Sequence, residues 1–299
     1  MSTLKVAFIP EHFSTPLFFA EQQGYYKSRD LTIEFVKVPE GSGRLINLLN
    51  ANEVDIAIGL TEAFVADIAK GNEKVHILDT YVKSPLLWAV STGYNRDDIV
   101  DTTKLSKIGV SRIGSGSYIM SFVLAHQLGV PSFSEFPILS NFKNLRDSVN
   151  LKEGVEGSDA FMWEYFTSKK YYDNKEIKKI DQIYTPWSSW VISSSSTALN
   201  EKSKQLKDFI SAVNEGIQYY NTHVDEAVEY ISTNLDYSAE DAREWTKTVE
   251  FNKDLGEVPL DWETIVVKTK DTLKLAGVLT DSDDVLLKRL DANVQKTNL

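Results

Sequence analysis

The chain has 299 residues, 42% of them hydrophobic and 25% charged, with no cysteine and a formal net charge of −11. That length exceeds one small core and predicts two lobes. The acidic balance excludes a nucleic-acid surface, which needs a basic stripe, and the missing cysteines exclude disulfides, thiolate metal sites and a cysteine nucleophile.

No apolar run reaches the ~18 residues of a membrane span, so no membrane insertion is expected. Met1-Ser2-Thr3 leads into a strand without the basic and apolar segments of a signal peptide. The expectation is a cytoplasmic protein, periplasmic only if a leader has been removed.

Val6-Ala7-Phe8-Ile9 is a short continuous apolar run, the signature of a central parallel strand buried on both faces. A loop, residues 10–15, separates it from a helix opened by Pro16 and ended at Gly24. Residues 31–38 alternate as a second strand. Gly41-Ser42-Gly43 turns into a helix over 44–50. Residues 55–59 form a third strand, Thr61 caps a helix through Ala69, and residues 75–82 form a fourth strand. This alternation predicts a parallel α/β sheet.

Lys83-Ser84-Pro85 marks a change. Residues 86–91 read as a strand, but a polar loop over 95–103 replaces the next helix. The βα alternation then restarts with Ile108-Gly109-Val110, a Gly/Ser-rich turn over 111–117 and an apolar helix over 118–128. Residues 136–139 and 158–162 read as strands, with a short helix over 144–151 between them, and this second α/β unit runs to about Thr185. Residues 186–196 are an extended return. Apolar residues at helical spacing then predict long helices over 201–222, 225–233, 238–249, 262–276 and 283–294.

The predicted class is therefore α/β with two lobes, lobe 1 from residues 1–84 and 187–299 and lobe 2 from residues 85–186. Each sheet is parallel in type with one antiparallel crossing strand, and the C-terminal helices belong to lobe 1. Ligands of open α/β sheets lie beyond the carboxyl ends of the strands. That rule selects Glu11, His12, Phe13 and Ser14 after the first strand, Gly41 and Ser42 after the second, and Thr61 and Glu62 after the third. In lobe 2 it selects Arg112, Gly114, Ser115, Gly116 and Ser117, then Asn141 and Phe142, then Trp163 and Glu164. Ser84 and Trp187 flank the crossings.

The turn over 112–117 is the sharpest feature. Backbone N–H groups converge at such a turn, the helix N-terminus adds partial positive charge and Arg112 adds a full one, which suits an anionic group. The plainer alternative is a βα turn whose glycines admit positive φ and whose serine only caps the helix. His12 beside Glu11 is either a ligand contact or a loop histidine. Glu62 either complements a helix start or binds an amine or ring nitrogen. Glu164 reads equally as a salt-bridge, hinge or ligand residue. Phe13, Phe142, Trp163, Trp187 and Trp190 suit aromatic walls, which favour a planar ring over a bare inorganic anion, although each alone suits core packing. The histidines have no metal-site spacing. No P-loop or nucleophile elbow is present.

In order and spacing, the pieces Pro16 to Tyr26, Asn52 to Ala57, Lys107 to Val110 and Ser158 to Glu164 resemble the type 2 periplasmic-binding-protein fold. Among such proteins the chain is most similar to the nitrate/sulfonate/taurine-binding proteins and the fungal thiamine-pyrimidine precursor synthases. The resemblance implies that loops after the strands hold a ligand between two lobes, with an anionic head group at residues 112–117. It also exposes two departures. Where the synthases carry a pyridoxal-phosphate lysine after the third strand, this chain has Ile58-Gly59-Leu60-Thr61. Where they carry a cysteine run in the returning segment, it has Thr185-Pro186-Trp187-Ser188-Ser189-Trp190.

The reading that follows is a non-catalytic binding protein, hinged near Ser84-Pro85 and Pro186-Trp187, that closes around a small anionic organic ligand bearing a sulfonate, phosphate or carboxylate. No catalytic residue, cofactor or metal is expected. The alternatives are an enzyme or accessory protein of thiamine pyrimidine precursor metabolism working through residues such as His12 and Glu62, and a sensor whose closure is read by a transporter or signalling partner.

Overall fold

The computed structural model describes residues 2–295; the ends of the predicted lobe 1, Met1 and residues 296–299, lie outside them. The chain divides into two compact units. One comprises the chain up to Ser84, Trp187–Lys270 and the chain from Leu279 on; the other comprises Pro85–Pro186 and Asp271–Val278. Sequence reading places Asp271–Val278 in lobe 1, and in the structure this stretch groups with the second unit.

In the first unit, β1 (Ser2–Phe8), β2 (Leu31–Lys37), β3 (Ile56–Leu60) and β4 (Val75–Val82) form a five-stranded sheet with the returning strand Trp190–Ser195. β1 pairs in parallel with β2 and β3, while the returning strand lies antiparallel between β3 and β4. The connecting helices are α1 (Thr15–Gln22), α2 (Ser42–Asn50) and α3 (Thr61–Ala69). Leu4, Val6, Ile56, Ile58, Val191 and Ile192 are buried, as strands covered on both faces require.

In the second unit, β5 (Leu87–Gly93), β6 (Ile108–Gly109), β7 (Ala160–Glu164) and β8 (Ile177–Tyr184) form a sheet in the order β6-β7-β5-β8. β6 and β7 are parallel; β5 runs antiparallel to both its neighbours. Helices α4 (Gly116–Gln127), α5 (Phe142–Val149) and α6 (Tyr165–Asp173) connect them. Leu139, Leu145, Val149, Phe161 and Ile177 form a buried cluster.

The returning strand is β9. After it come α7 (Ser196–Glu201), α8 (Ser203–Thr222), α9 (Val224–Asn234), α10 (Ala239–Thr246), α11 (Lys268–Leu275) and α12 (Asp283–Asn293). Each sheet thus carries one antiparallel strand, as expected.

Three local expectations change. The helix predicted over 201–222 breaks at Lys202, whose φ of −124° leaves the helical region while its ammonium binds Asp55 at 2.8 and 2.9 Å. The strand predicted over 136–139 survives only as isolated parallel bridges to β6 and its extension, Lys107–Glu135 and Val110–Ile138. Pro137 has no N–H to give that ladder. The last long helix before α12 opens with a π-turn, Glu263–Val267.

Gly216 sets the closest helix packing. A Cβ there would lie 2.3 Å from the Pro16 carbonyl oxygen and 3.0 Å from the Ala20 Cβ, so α8 approaches α1 only because the side chain is absent. Gly216→Ala is expected to lower unfolding free energy by about 1–3 kcal/mol, overpacking outweighing the gain in helix propensity. Urea denaturation checks this as a lower midpoint at unchanged slope.

Asp79 on β4 is buried and braces the chain after α10. It accepts from the Gly256 N–H at 2.8 Å and the Thr80 N–H at 2.7 Å, with the Asn252 amide at 3.4 Å. Burial nevertheless pushes its carboxyl from 3.8 up to about 6. A raised folded value means that its stabilisation is complete below the unfolded value and is lost as pH rises through 6, about 3 kcal/mol in all. Asp79→Asn lacks that loss. The stability of the variant relative to the native protein should therefore climb between pH 4 and 7; a difference constant over that range would clear Asp79 of the effect.

Candidate functional site

The topology of the first unit gathers its candidates at one sheet edge. β1, β2 and β3 end there, and because β9 is antiparallel its first residue, Trp190, lies opposite Leu60 on one side and Val82 on the other. Loops after β1, β2, β3 and β4 and the segment entering β9 therefore share the carboxyl edge.

Hydrogen bonds knit these loops together. The Ser42 hydroxyl accepts from the Leu60 N–H at 3.0 Å. The Thr61 hydroxyl donates to the Ser188 carbonyl at 2.5 Å, and the Thr61 N–H donates to the Ser189 carbonyl at 3.1 Å. The Ser189 hydroxyl donates to the Ser84 carbonyl at 2.7 Å, and the Ser84 hydroxyl accepts from the Glu250 N–H at 2.9 Å. Gly41, at φ +92°, supplies the turn before α2. The Ser14 hydroxyl is turned onto the Glu11 carbonyl at 2.6 Å.

Two candidates have structural partners that sequence reading does not supply. The buried carboxylate of Glu62 accepts from the Trp187 indole N–H at 3.1 Å. His12 is fully buried: its ring stacks on Tyr237 at 4.4 Å and on Trp245 at 4.3 Å, with Phe13 edge-on at 4.6 Å. Burial holds the imidazole pKa well below its ordinary value, which keeps the ring neutral. Phe13 in turn packs on Trp190 at 4.9 Å, and its carbonyl accepts from the Tyr81 hydroxyl at 2.7 Å.

The second unit repeats the arrangement at the carboxyl edge of its own sheet. β6 and β7 end there, and Trp88 near the start of β5 lies opposite Glu164. The turn over 112–117 follows β6. Gly114 takes φ +78°, and Ser115 caps α4 by accepting from the Tyr118 N–H at 3.3 Å. The Ser117 hydroxyl meets that of Ser115 at 3.0 Å and accepts from the Ser111 N–H at 3.3 Å. The capping alternative is thus present: both serine hydroxyls are buried within the turn. Gly116 opens the helix, and the Arg112 side chain is exposed.

Asn141 caps α5 by accepting from the Asn144 N–H at 2.9 Å. Phe142, next in sequence, lies flat against Trp163 at 4.8 Å and 8°. Arg146 covers Phe142 at 4.6 Å and Tyr171 at 3.7 Å while its Nε pairs with Glu176 at 2.9 Å. Glu164 ends β7 and caps α6, accepting from the Thr167 N–H at 2.6 Å. Burial raises its carboxyl to about 7.

Trp190, expected as an aromatic wall, also carries a buried donor, and Trp88 is a residue that the sequence reading did not single out. The indole N–H groups of Trp190 in the first unit and Trp88 in the second are buried, 3% and 5% exposed, and neither has a hydrogen-bond acceptor among the described residues. Each sits at the carboxyl edge of its sheet. A buried donor without an acceptor costs about 1–3 kcal/mol. The rings stacked on His12, those of Tyr237 and Trp245, lie more than 200 positions from it, so no local pattern announces them. Among the described residues no group of three or more His, Asp or Glu is gathered as metal ligands, and no helix is long and apolar enough to cross a membrane.

Comparison with known proteins follows the same lines. A family model described as Ca3427-like PBP matches residues 88–183, and one for the NMT1-like family matches residues 1–109. No curated protein sequence matches. Among solved structures, the Candida albicans CA3427 gene product, described as defining a new family with the generic periplasmic-binding-protein fold, is 81% identical. The match has a TM-score of 0.96 and covers 100% of this chain and 98% of that one. The alkanesulfonate-binding protein SsuA of Xanthomonas axonopodis pv. citri, bound to MOPS, matches with a TM-score of 0.74 at 11% identity, over 99% and 98% of the two chains. The periplasmic nitrate-binding protein NrtA of Synechocystis PCC 6803 matches with a TM-score of 0.70 at 15% identity, over 99% and 86%. The last two share the fold. At 81% identity over its whole length, the chain belongs to the family that the Candida albicans CA3427 gene product defines, proteins with the periplasmic-binding-protein fold.

Proposed function

We propose that this protein binds a small anionic organic molecule, closing its two lobes around it, with the turn over 112–117 meeting the sulfonate, phosphate or carboxylate. The observation that carries the reading is the pair of acceptor-less indole donors, Trp88 and Trp190, one at the carboxyl edge of each sheet. Indole nitrogen only donates, so these groups call for a ligand rich in acceptor atoms. Arg112 and the start of α4 add the same polarity. Trp163, stacked on Phe142 and only partly buried, adds aromatic surface for a ring. The solved proteins SsuA and NrtA, named for alkanesulfonate and nitrate, support an anionic ligand by analogy of fold.

The rival reading, an enzyme acting through His12 and Glu62, gains no support from their surroundings. His12 is enclosed by aromatic rings, and Glu62 holds the Trp187 indole. The hinge reading has local support at the crossings: Ser84 is tied to Ser189, while on the far side of Pro85 and Pro186 the Leu86 N–H donates to the Thr185 hydroxyl at 2.9 Å. The prolines contribute no N–H to either set of bonds.

The test begins with native mass spectrometry of protein from its own host, to identify a retained small molecule. Calorimetry with that compound, or with a panel of sulfonates, phosphorylated pyrimidines and pyridoxal phosphate, then gives an affinity. Arg112→Ala should weaken binding of the anionic compound by about 1–3 kcal/mol, the value of a charged hydrogen bond; unchanged affinity would sink the assignment.

Replacing the Trp88 indole by benzothiophene, as 3-benzothienylalanine, keeps the bicyclic ring shape and removes only the N–H. It should lower ligand affinity about threefold to tenfold without lowering the melting temperature of the free protein, because the donor lost there has no partner. A variant that melts lower yet binds equally well would reassign Trp88 to a structural role.

A further inference from the structure

Beside the second sheet, a buried cation joins the aromatic residues. Arg146 lies one helical turn after Phe142 on α5, so the two side chains share a face of that helix. Its guanidinium carbon sits 4.6 Å from the centre of the Phe142 ring and 3.7 Å from that of Tyr171. Phe142 in turn lies flat on Trp163 at 4.8 Å, with Tyr171 edge-on to it at 5.3 Å and Phe161 at 6.0 Å. Trp163, Phe142, Arg146 and Tyr171 thus form one ladder. Trp163, the penultimate residue of β7, is its end at the carboxyl edge of the sheet.

The other end of the ladder is fixed by hydrogen bonds. The Arg146 Nε–H donates to the Glu176 carboxylate at 2.9 Å. Glu176 follows a left-handed turn at Lys175, φ +61°, and its N–H donates to the Tyr171 carbonyl at 3.0 Å. The Asn150 amide donates to the Arg146 carbonyl at 2.9 Å and to the Glu176 carbonyl at 3.1 Å, which ties the end of α5 to the same turn. Arg146 is only 9% exposed. Burying a guanidinium carries a desolvation cost that an apolar side chain at this position avoids. The carboxylate and the two ring faces offset that cost. What arginine adds over an apolar residue is orientation: a planar cation held at Nε and set against two rings fixes the plane of Phe142, and Phe142 fixes that of Trp163.

On the reading that the protein binds a small anionic organic molecule, we propose that Arg146 is a positioning residue. Through Phe142 it holds Trp163 as a platform that selects ligands whose anionic group is carried on an aromatic ring over those with a saturated body. Phe142 covers one face of the Trp163 indole, and the side chain remains partly exposed. A planar ring stacks on an indole, whereas a puckered ring has no π face to offer. A platform already held in place loses little freedom when the ligand arrives.

Calorimetry with benzenesulfonate and cyclohexanesulfonate tests this, because the two share a head group and a carbon count. The wild type should bind benzenesulfonate about twofold to tenfold more tightly. Arg146→Met fills similar space without the planar cation. It should bring the two affinities to parity and leave that for cyclohexanesulfonate unchanged. Arg146→Lys keeps a charge for Glu176 but not the plane. It should lose the preference as well, and it decides the matter if Arg146→Met does not fold. A variant that keeps the wild-type preference overturns the proposal. So does one that weakens both sulfonates equally, which would make Arg146 a structural residue only. A wild type that binds both sulfonates alike overturns ring selection and leaves the anionic-ligand reading standing; a wild type that binds neither sinks that reading, and the role of Arg146 with it.

Discussion

The arrangement depends on how the chain passes from one sheet to the other. β4 ends at the carboxyl edge of its sheet, and the next strand, β5, begins at the carboxyl edge of its own, with Trp88 opposite the last residue of β7. A strand entered from that edge has to run against its parallel neighbours. β9 obeys the same constraint on the way back, its first residue opposite Leu60, the last of β3. The two antiparallel strands thus follow from crossing at the carboxyl edges. Direction then decides position: both crossings and the three indoles of Trp88, Trp187 and Trp190 fall beside the loops that follow the parallel strands.

Those indoles show how one residue type divides its work. Trp187 spends its N–H on Glu62 and so fixes the returning segment against the start of α3, next to the bonds from Thr61 to Ser188 and Ser189. Trp88 and Trp190 keep theirs, at a cost that a fold selected for stability alone would remove with an apolar side chain filling the same space. Buried polar groups retained without partners in the chain are reasonable where a ligand completes the shell.

Much of this fold is legible in the sequence because local signals and tertiary structure agree. β1 and β3 are continuous apolar runs, and Thr61, Ser115, Asn141 and Ser238 stand at helix starts as caps or first residues. The strands that escape reading are those where burial is one-sided. β8 mixes lysines, an aspartate and a glutamine with its apolar residues because it lies at the sheet edge. The break before α8 escapes too. Lys202 is a good helix former, and where it leaves the helix its ammonium is held by Asp55, 147 positions earlier. The candidate site divides in the same way. Strand direction locates the carboxyl-edge loops from sequence alone, but the roles of His12 and Glu62 depend on Tyr237, Trp245 and Trp187, which no spacing near them reveals.

An acidic chain that binds an anion has to solve an electrostatic problem locally. At −11 the mean field repels such a ligand, so attraction has to come from groups within a few ångströms, where screening and distance favour them over the rest of the surface. For the proposed anionic ligand, the second unit offers a stretch after β6 that carries no carboxylates. The glycines and serines of the 112–117 turn, Arg112 and the whole of α4 carry no acidic side chain. The one acidic group in the neighbouring strand end, Glu164, is pushed up to about 7 by burial, so much of its charge is withdrawn near neutral pH. Removing negative charge from one stretch favours an anion at the start of α4.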